Sequence, residues 1–319
     1  MTVGPDLDLA NPETRLQLAW RVAPATAAFV LRIEAASRAA RDLVDGLLFA
    51  AIQAANVSTI SSDPELQVAY AILADAPPDH LRRPVSVSAI ANSLRMPFET
   101  ARRRIQAMAR MGAVEITPKG VRVSHQALGH HDFLSNVMLR HEQLRLFYLD
   151  MKALGVLPPS PPAPRPVWDH PPLRLTNRLI WEYMLRVADD LGATVGDTSN
   201  GLILMAMVRE NTMGFDPEIL VTWARDPLAV ARPVRNRKLA EALNFSSETL
   251  RRYVIALESR GFCVRSPRGL VAVAPPAVRD DLDRMVLDNL ANLQRLFARL
   301  RQFGVLTSWD DQATTALLA

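Results

Sequence analysis

Ala240-Glu241-Ala242-Leu243-Asn244-Phe245-Ser246-Ser247-Glu248-Thr249-Leu250-Arg251-Arg252 is the second statement of a pattern that this chain has already made once. The first is Ala91-Asn92-Ser93-Leu94-Arg95-Met96-Pro97-Phe98-Glu99-Thr100-Ala101-Arg102-Arg103, at a constant offset of 149 residues. The gapless match runs from Arg83 to Leu157 against Arg232 to Leu306, with identities at Pro84/Pro233, Gly112/Gly261, Gly120/Gly269 and Gly155-Val156-Leu157/Gly304-Val305-Leu306. Short solenoid units recur every few tens of residues, so a period this long marks a duplicated domain.

Within each copy the spacing predicts helix, turn, helix and hairpin. Asn236 is a fitting N-cap for a helix over 237–243, whose Leu239, Ala240 and Leu243 share one face. After the turn, Leu250, Val254 and Leu257 form one apolar stripe, matched in the first copy by Ala101, Ile105 and Met108. Gly112 stands where a left-handed residue ends the helix. Alternating residues around Thr117-Pro118-Lys119-Gly120, and around Ser266-Pro267-Arg268-Gly269, read as hairpins. Long amphipathic helices are expected over 132–154 and 277–303.

This is the plan of a winged helix-turn-helix. The expected fold is mainly α: two duplicated winged helix-turn-helix domains with small β-hairpin wings and flanking long helices. The divisions are a lead-in at 1–25, a first unit at 26–157 with its turn motif and wing at 84–124, and a linker at 158–172. A second unit follows at 173–307, with turn motif and wing at 233–273, then a frayed tail at 308–319. Within the first unit a continuous apolar pattern runs from Thr26 to Leu47. The linker holds eight prolines in fifteen residues, a composition that favours an extended path of ~3.1 Å per residue.

The faces left outside suit DNA. An α-helix fits the major groove, and its N-terminal residues reach base edges there. In the second copy those residues are Ser247, Glu248, Thr249, Arg251 and Arg252. Arg235, Arg237 and Lys238, at the start of the preceding helix, would meet phosphates, which position without specifying. The first copy offers Phe98, Glu99, Thr100, Arg102, Arg103 and Arg104. Lys119 and Arg268 at the hairpin tips would pass over a phosphate or enter the minor groove. Glu99 and Glu248 could accept from cytosine N4, or simply favour the positive end of the helix dipole.

Leu239 to Leu243, Ser246 to Arg252 and Leu257 to Phe262 resemble the helix-turn-helix of MarR-type and IclR-type bacterial repressors. The resemblance covers about 60 residues per copy, and it implies outer helices that dimerise and hence a possible homo-oligomer. Members usually carry one such unit per chain, and the first copy has Pro97-Phe98 where Ser-Ser is usual. A cytosolic regulator of transcription is therefore expected, binding double-stranded DNA as a pseudo-dimer. A plasmid or phage replication initiator with paired winged helices, or a protein-interaction adaptor built on them, are the alternatives.

Composition narrows the field further. The net charge is +4, and all but three of the 37 basic residues are Arg. Its planar fork suits phosphate and guanine, but a GC-rich genome explains the bias, and the abundant Ala, more simply. The single cysteine, Cys263, replaces Val114 of the first copy and reads as a small buried hydrophobe; it excludes an internal disulfide. Met1 to Pro12 lacks a signal-peptide pattern, and no apolar run is long enough to cross a bilayer. His125, His130, His131, Asp132, His141 and Glu142 crowd one stretch without metal-ligand spacing. No nucleophile elbow, Walker loop or dinucleotide fingerprint is present, so neither cofactor nor enzymatic activity is expected. A small-molecule effector is conceivable between the outer helices, where Trp181, Met205, Met207, Phe215 and Trp223 cluster in sequence.

Overall fold

The computed structural model describes residues 9–35, 42–157 and 168–310, apart from the side chain of Leu43. It is mainly helical, with two small antiparallel hairpins. The first half runs α1 (Pro12–Ala35), α2 (Leu43–Asn56), α3 (Ser58–Ser62), α4 (Pro64–Ala69), α5 (Val87–Ser93) and α6 (Phe98–Arg110). Strands β1 (Val114–Thr117) and β2 (Gly120–Val123) follow, then α7 (His125–Gly129) and α8 (His131–Ala153). The second half runs α9 (Leu173–Val195), α10 (Thr198–Thr212), α11 (Pro217–Arg225), α12 (Pro227–Val230), α13 (Asn236–Leu243) and α14 (Ser247–Ser259). Its hairpin is β3 (Cys263–Ser266) with β4 (Gly269–Ala272), and α15 (Arg279–Gln302) closes the series.

The two hairpins share one register, Val114 opposite Val123 and Cys263 opposite Ala272. Each gains a third partner by a single bridge, Val85 to Val121 and Val234 to Leu270. That bridge explains the glycines better than the turn does. A Cβ on Gly120 (φ +128°) would lie 2.5 Å from the Val85 carbonyl oxygen, and one on Gly269 (φ +142°) would lie 2.5 Å from that of Val234.

The halves are interleaved rather than strung in line. Helix α1 packs on α10 and α15 of the second half as well as on α8, while α9 packs on α2 and α8 of the first. At the centre Phe29 of α1 stacks on Phe147 of α8 with centroids 4.2 Å apart, and Tyr183 of α9 and Phe297 of α15 complete an aromatic cluster. The buried apolar residues form one continuous core through both halves. The long helices after the hairpins therefore meet each other and both leading helices.

Three expectations need correction. The short helix that residues 13–21 suggest within the lead-in is present but longer: α1 begins at Pro12 and passes straight through Pro24. An interior proline costs about 3 kcal/mol, which burial of side chains worth ~1.5–3 kcal/mol each offsets: Leu18 and Val22 lie before it, Phe29, Val30 and Ile33 after it. The pattern from Thr26 to Leu47 is not one helix, since Asp42 is extended and caps a separate helix, α2, from Leu43; residues 36–41 lie outside the described residues. The tail is not frayed at its start: residues 305–310 are helical, and Trp309 is buried against Tyr148. Residues 1–8 of the lead-in, 158–167 of the linker and 311–319 of the tail lie outside the described residues.

Candidate nucleic-acid interface

The turn between the paired helices is built alike in the two halves. Arg95 (φ +49°) and Asn244 (φ +54°) take the left-handed conformation that reverses the chain. The next amide then closes the turn, Met96 N–H to Ala91 C=O at 2.9 Å and Phe245 N–H to Ala240 C=O at 3.0 Å. Asparagine tolerates such a backbone readily; arginine does so at greater cost. In the first half the guanidinium of Arg95 also reaches Asp189 of α9 at 2.8 Å, and Thr198 of α10 donates its hydroxyl to the Leu94 carbonyl. The sequence comparison missed this tie, although the unlike pair Arg95/Asn244 inside a matched stretch was a signal.

Beyond the turn, α6 and α14 bury the same stripe. Ala101, Ile105 and Met108 are sealed in the first half, and Leu250, Val254 and Leu257 in the second. The opposite side is open. Arg102 and Arg251 are exposed, and each forks onto the glutamate one turn back: Arg102 to Glu99 at 2.8 Å, Arg251 to Glu248 at 2.9 Å. These hydrogen bonds hold both carboxyls below the usual carboxylate range. Exposed pairs of this spacing contribute only ~0.3–0.5 kcal/mol, so the guanidinium groups are readily released to another anion. Arg103 and Arg252 are exposed and make no ion pair among the described residues.

The helix starts differ. Ser246 caps α14 by accepting the Thr249 N–H at 3.1 Å, whereas Pro97 supplies no cap to α6 and leaves Phe98 exposed. Ser247 is exposed, and Thr100 and Thr249 are half-buried beside these starts. Asn236 is not a cap. Arg235 occupies that position with no side-chain bond, because its backbone is still extended and Asn236 is already in the first helical turn.

Two of the named cations are paired with carboxylates distant in sequence, Arg104 half-buried and Lys238 exposed. Arg104 reaches inward to Asp42 at 2.9 Å and Asp45 at 2.6 Å, fastening α6 to the start of α2. One residue before Ile105, it lies beside the buried stripe; the matching Tyr253 stacks on Phe245 there. Lys238 holds the buried carboxylate of Glu210 at 2.6 Å. Arg237 pairs only with exposed Glu241, and Arg235, Lys119 and Arg268 stay exposed without an ion pair among the described residues. The tips that carry Lys119 and Arg268 are set by hydroxyls: Thr117 and Ser266 each donate to the glycine carbonyl of their own turn.

The histidine-rich stretch scatters. His125 joins Asp79 at 2.6 Å, His130 lies by Asp132, and His141 bonds Thr176 with its ring edge on Trp309. Burial pushes the His141 imidazole down to about 4, so it is neutral at physiological pH. Among the described residues no group of three or more His, Cys, Asp or Glu could hold a metal ion. No helix among them is long and apolar enough to cross a membrane.

Comparison with protein-family models, with curated proteins and with solved structures finds no match to this chain.

Proposed function

We propose that the chain is a sequence-specific regulator of transcription that holds double-stranded DNA with two winged helix-turn-helix units in one polypeptide. One observation carries the reading. In both halves the helix after the turn keeps its arginines exposed away from a sealed apolar stripe, Arg103 and Arg252 opposite it and Arg102 and Arg251 on its flank. That is what a major-groove helix requires, with bases and phosphates met by Arg, Ser and Thr near its N-terminus. The exposed hairpin tips with Lys119 and Arg268 suit phosphate contacts of a wing. The interleaved leading helices favour a fixed spacing, so one monomer would cover two half-sites about 34 Å apart. The recognition faces differ, most plainly at Pro97-Phe98 against Ser246-Ser247, so the half-sites should differ too.

A titration against genomic fragments, at two or more salt concentrations, tests this. Arg251→Ala or Arg252→Ala should each cost about 1–3 kcal/mol if the side chain reads a base. Affinity indifferent to salt would contradict a phosphate-gripping surface. Footprinting then separates an operator from an origin repeat, the mark of a replication initiator. Exposed Phe98, at 46 %, favours a protein-interaction adaptor as the second reading; an adaptor gives no DNA shift at low salt.

A further inference from the structure

Beneath each hairpin lies a cavity, and the duplication makes the two cavities counterparts. Val123, Phe133 and Val137 line the first; Ala272, Leu282 and Val286, each 149 residues on, line the second. Their chemistry has diverged. The second is about 100 Å3 and apolar, walled by Trp20, Met205 and Trp223, while Trp181 and Met207 are simply core and Phe215 carries the guanidinium of Arg232. The first is about 490 Å3 and is bordered by three arginines, Arg82, Arg174 and Arg178. Only the larger reaches the ~300–1,000 Å3 usual for small-molecule sites.

The arginines are partly used by the fold and partly not. Arg178 is 8 % exposed; its two terminal nitrogens donate to the carbonyls of Tyr70 and Gln67, and its Nε is buried without a partner. Arg174 donates from Nε to the Leu73 carbonyl at 3.0 Å, and neither of its terminal nitrogens has a hydrogen-bond partner among the described residues. Arg82 holds the Val123 carbonyl and Asp79. Asp79 is shared with Arg122 and His125, Glu182 near Arg178 is engaged by Arg299, and exposed Asp75 is the one acid that acts on Arg174 without an ion pair to it. Positive charge therefore outweighs negative around a space floored by Leu128, Phe133 and Val137. Burying guanidinium donors without an anion is costly, and a carboxylate accepts from such a fork in two places.

We propose that this first-half cavity binds a small organic carboxylate, its head held by the unused terminal nitrogens of Arg174 beside the positive charge of Arg178, and its hydrocarbon or aromatic body on the apolar floor. The site goes beyond the DNA reading and does not depend on it. An occupant would touch Arg82 and Val123, which fix the end of the first hairpin, so binding there would bear on that hairpin's position.

The experiment uses the full chain without DNA. Octanoate and 4-phenylbutyrate are titrated by calorimetry, beside 4-phenylbutanamide, which has the same body without the charge. The acids should saturate at millimolar concentration or below, with the amide at least about tenfold weaker. Arg174→Gln should weaken the acids by about tenfold while the ligand-free melting temperature moves by no more than a few degrees. No saturable binding of either acid, or equal binding of acid and amide, overturns the proposal. If Arg174→Gln fails to fold, the acid-against-amide comparison on the unaltered protein decides alone.

Discussion

Asn56 and Asn211 make the same three hydrogen bonds in the two halves of the chain. Asn56 Nδ2 donates to the carbonyls of Arg83 at 2.8 Å and Val121 at 3.1 Å, and its Oδ1 accepts the Val123 N–H at 2.9 Å. Asn211 serves Arg232 at 2.7 Å, Leu270 at 3.0 Å and Ala272 at 2.8 Å. Each stands in the last turn of a helix, α2 or α10, and pins the hairpin to it. The carboxamide supplies both donors and the acceptor, which no aliphatic or acidic side chain can do.

Replacing either asparagine by alanine should therefore cost more than a surface change. For Asn56 it strands the Arg83 carbonyl and the Val123 amide beneath the hairpin, each worth ~1–3 kcal/mol where water does not reach. The Val121 carbonyl keeps the Val85 N–H, and Asn211 leaves the counterpart groups of Arg232 and Ala272. The expected loss for Asn56→Ala is about 2–4 kcal/mol in urea unfolding, and a similar loss is expected for Asn211→Ala. Asn56→Asp should be no better, because its oxygens would face two carbonyls. A loss below about 1 kcal/mol would mean that the network does not bind hairpin to helix.

The lone thiol should be silent. Cys263 is 3 % exposed at the start of β3, and burial pushes its thiol up to about 12. Reaction with a disulfide reagent at pH 8 should be negligible in the native protein and complete after denaturation. Rapid native labelling would mean that the second hairpin opens readily.

The paired asparagines also mark where the sequence stopped being readable. They lie 155 residues apart, six off the gapless register, so the alignment of turn motifs slides past them. What periodicity could reach was the local pattern: the stripes of α6 and α14, the hairpins and the long helices all follow from residue spacing. Contacts made across the duplication left no such trace. Nothing in the local pattern says that α1 crosses onto α15, that Pro24 is carried inside a helix, or that Arg104 turns inward to Asp42 and Asp45. For the candidate interface, most of the named cations are exposed; Arg104 and Lys238 are paired with carboxylates distant in sequence, Lys238 while staying exposed. The cationic cavity was invisible for the same reason, since Arg82 and Arg174 come from different halves.

The glutamates beside the exposed arginines give a test of what the helices read. Glu99 and Glu248 now occupy Arg102 and Arg251. If α14 meets DNA as proposed and the glutamates only shield those arginines, Glu248→Gln removes a negative charge from that surface and should raise affinity for all duplexes several-fold, most at low salt. If Glu248 accepts from cytosine, the same change should instead lower preference for the operator over scrambled DNA. Competition binding with both duplexes distinguishes the outcomes, and an unchanged affinity would place Glu248 outside the contact.

A buried acid at the crossing of the halves should govern the pH dependence of stability. Glu34, in the last turn described for α1, is 7 % exposed, and neither carboxylate oxygen has a hydrogen-bond partner among the described residues. Burial pushes its carboxyl up to about 8, against the opposing pull of Arg140 of α8. Arg140 lies over the Trp181 ring and donates to Asn177, both on α9, so the acid sits where α1, α8 and α9 meet. The unfolded chain releases this proton near pH 4.5, while the folded chain keeps it to about 8. Deprotonation therefore favours unfolding: the contribution is intact below the lower value and is lost as pH rises between the two, by at most about 1.4 kcal/mol per pH unit. Asp190, raised to about 6 by burial, acts in the same direction, and His141, depressed to about 4, acts in the opposite one. The difference between the natural protein and Glu34→Gln cancels both. Glutamine has the shape of the protonated acid and cannot ionise, so the two proteins should be nearly equal in stability at pH 4.5. By pH 8 the variant should be the more stable by a few kcal/mol in urea unfolding. A stability difference that does not change with pH would show that Glu34 is ionised in the fold and paired with Arg140.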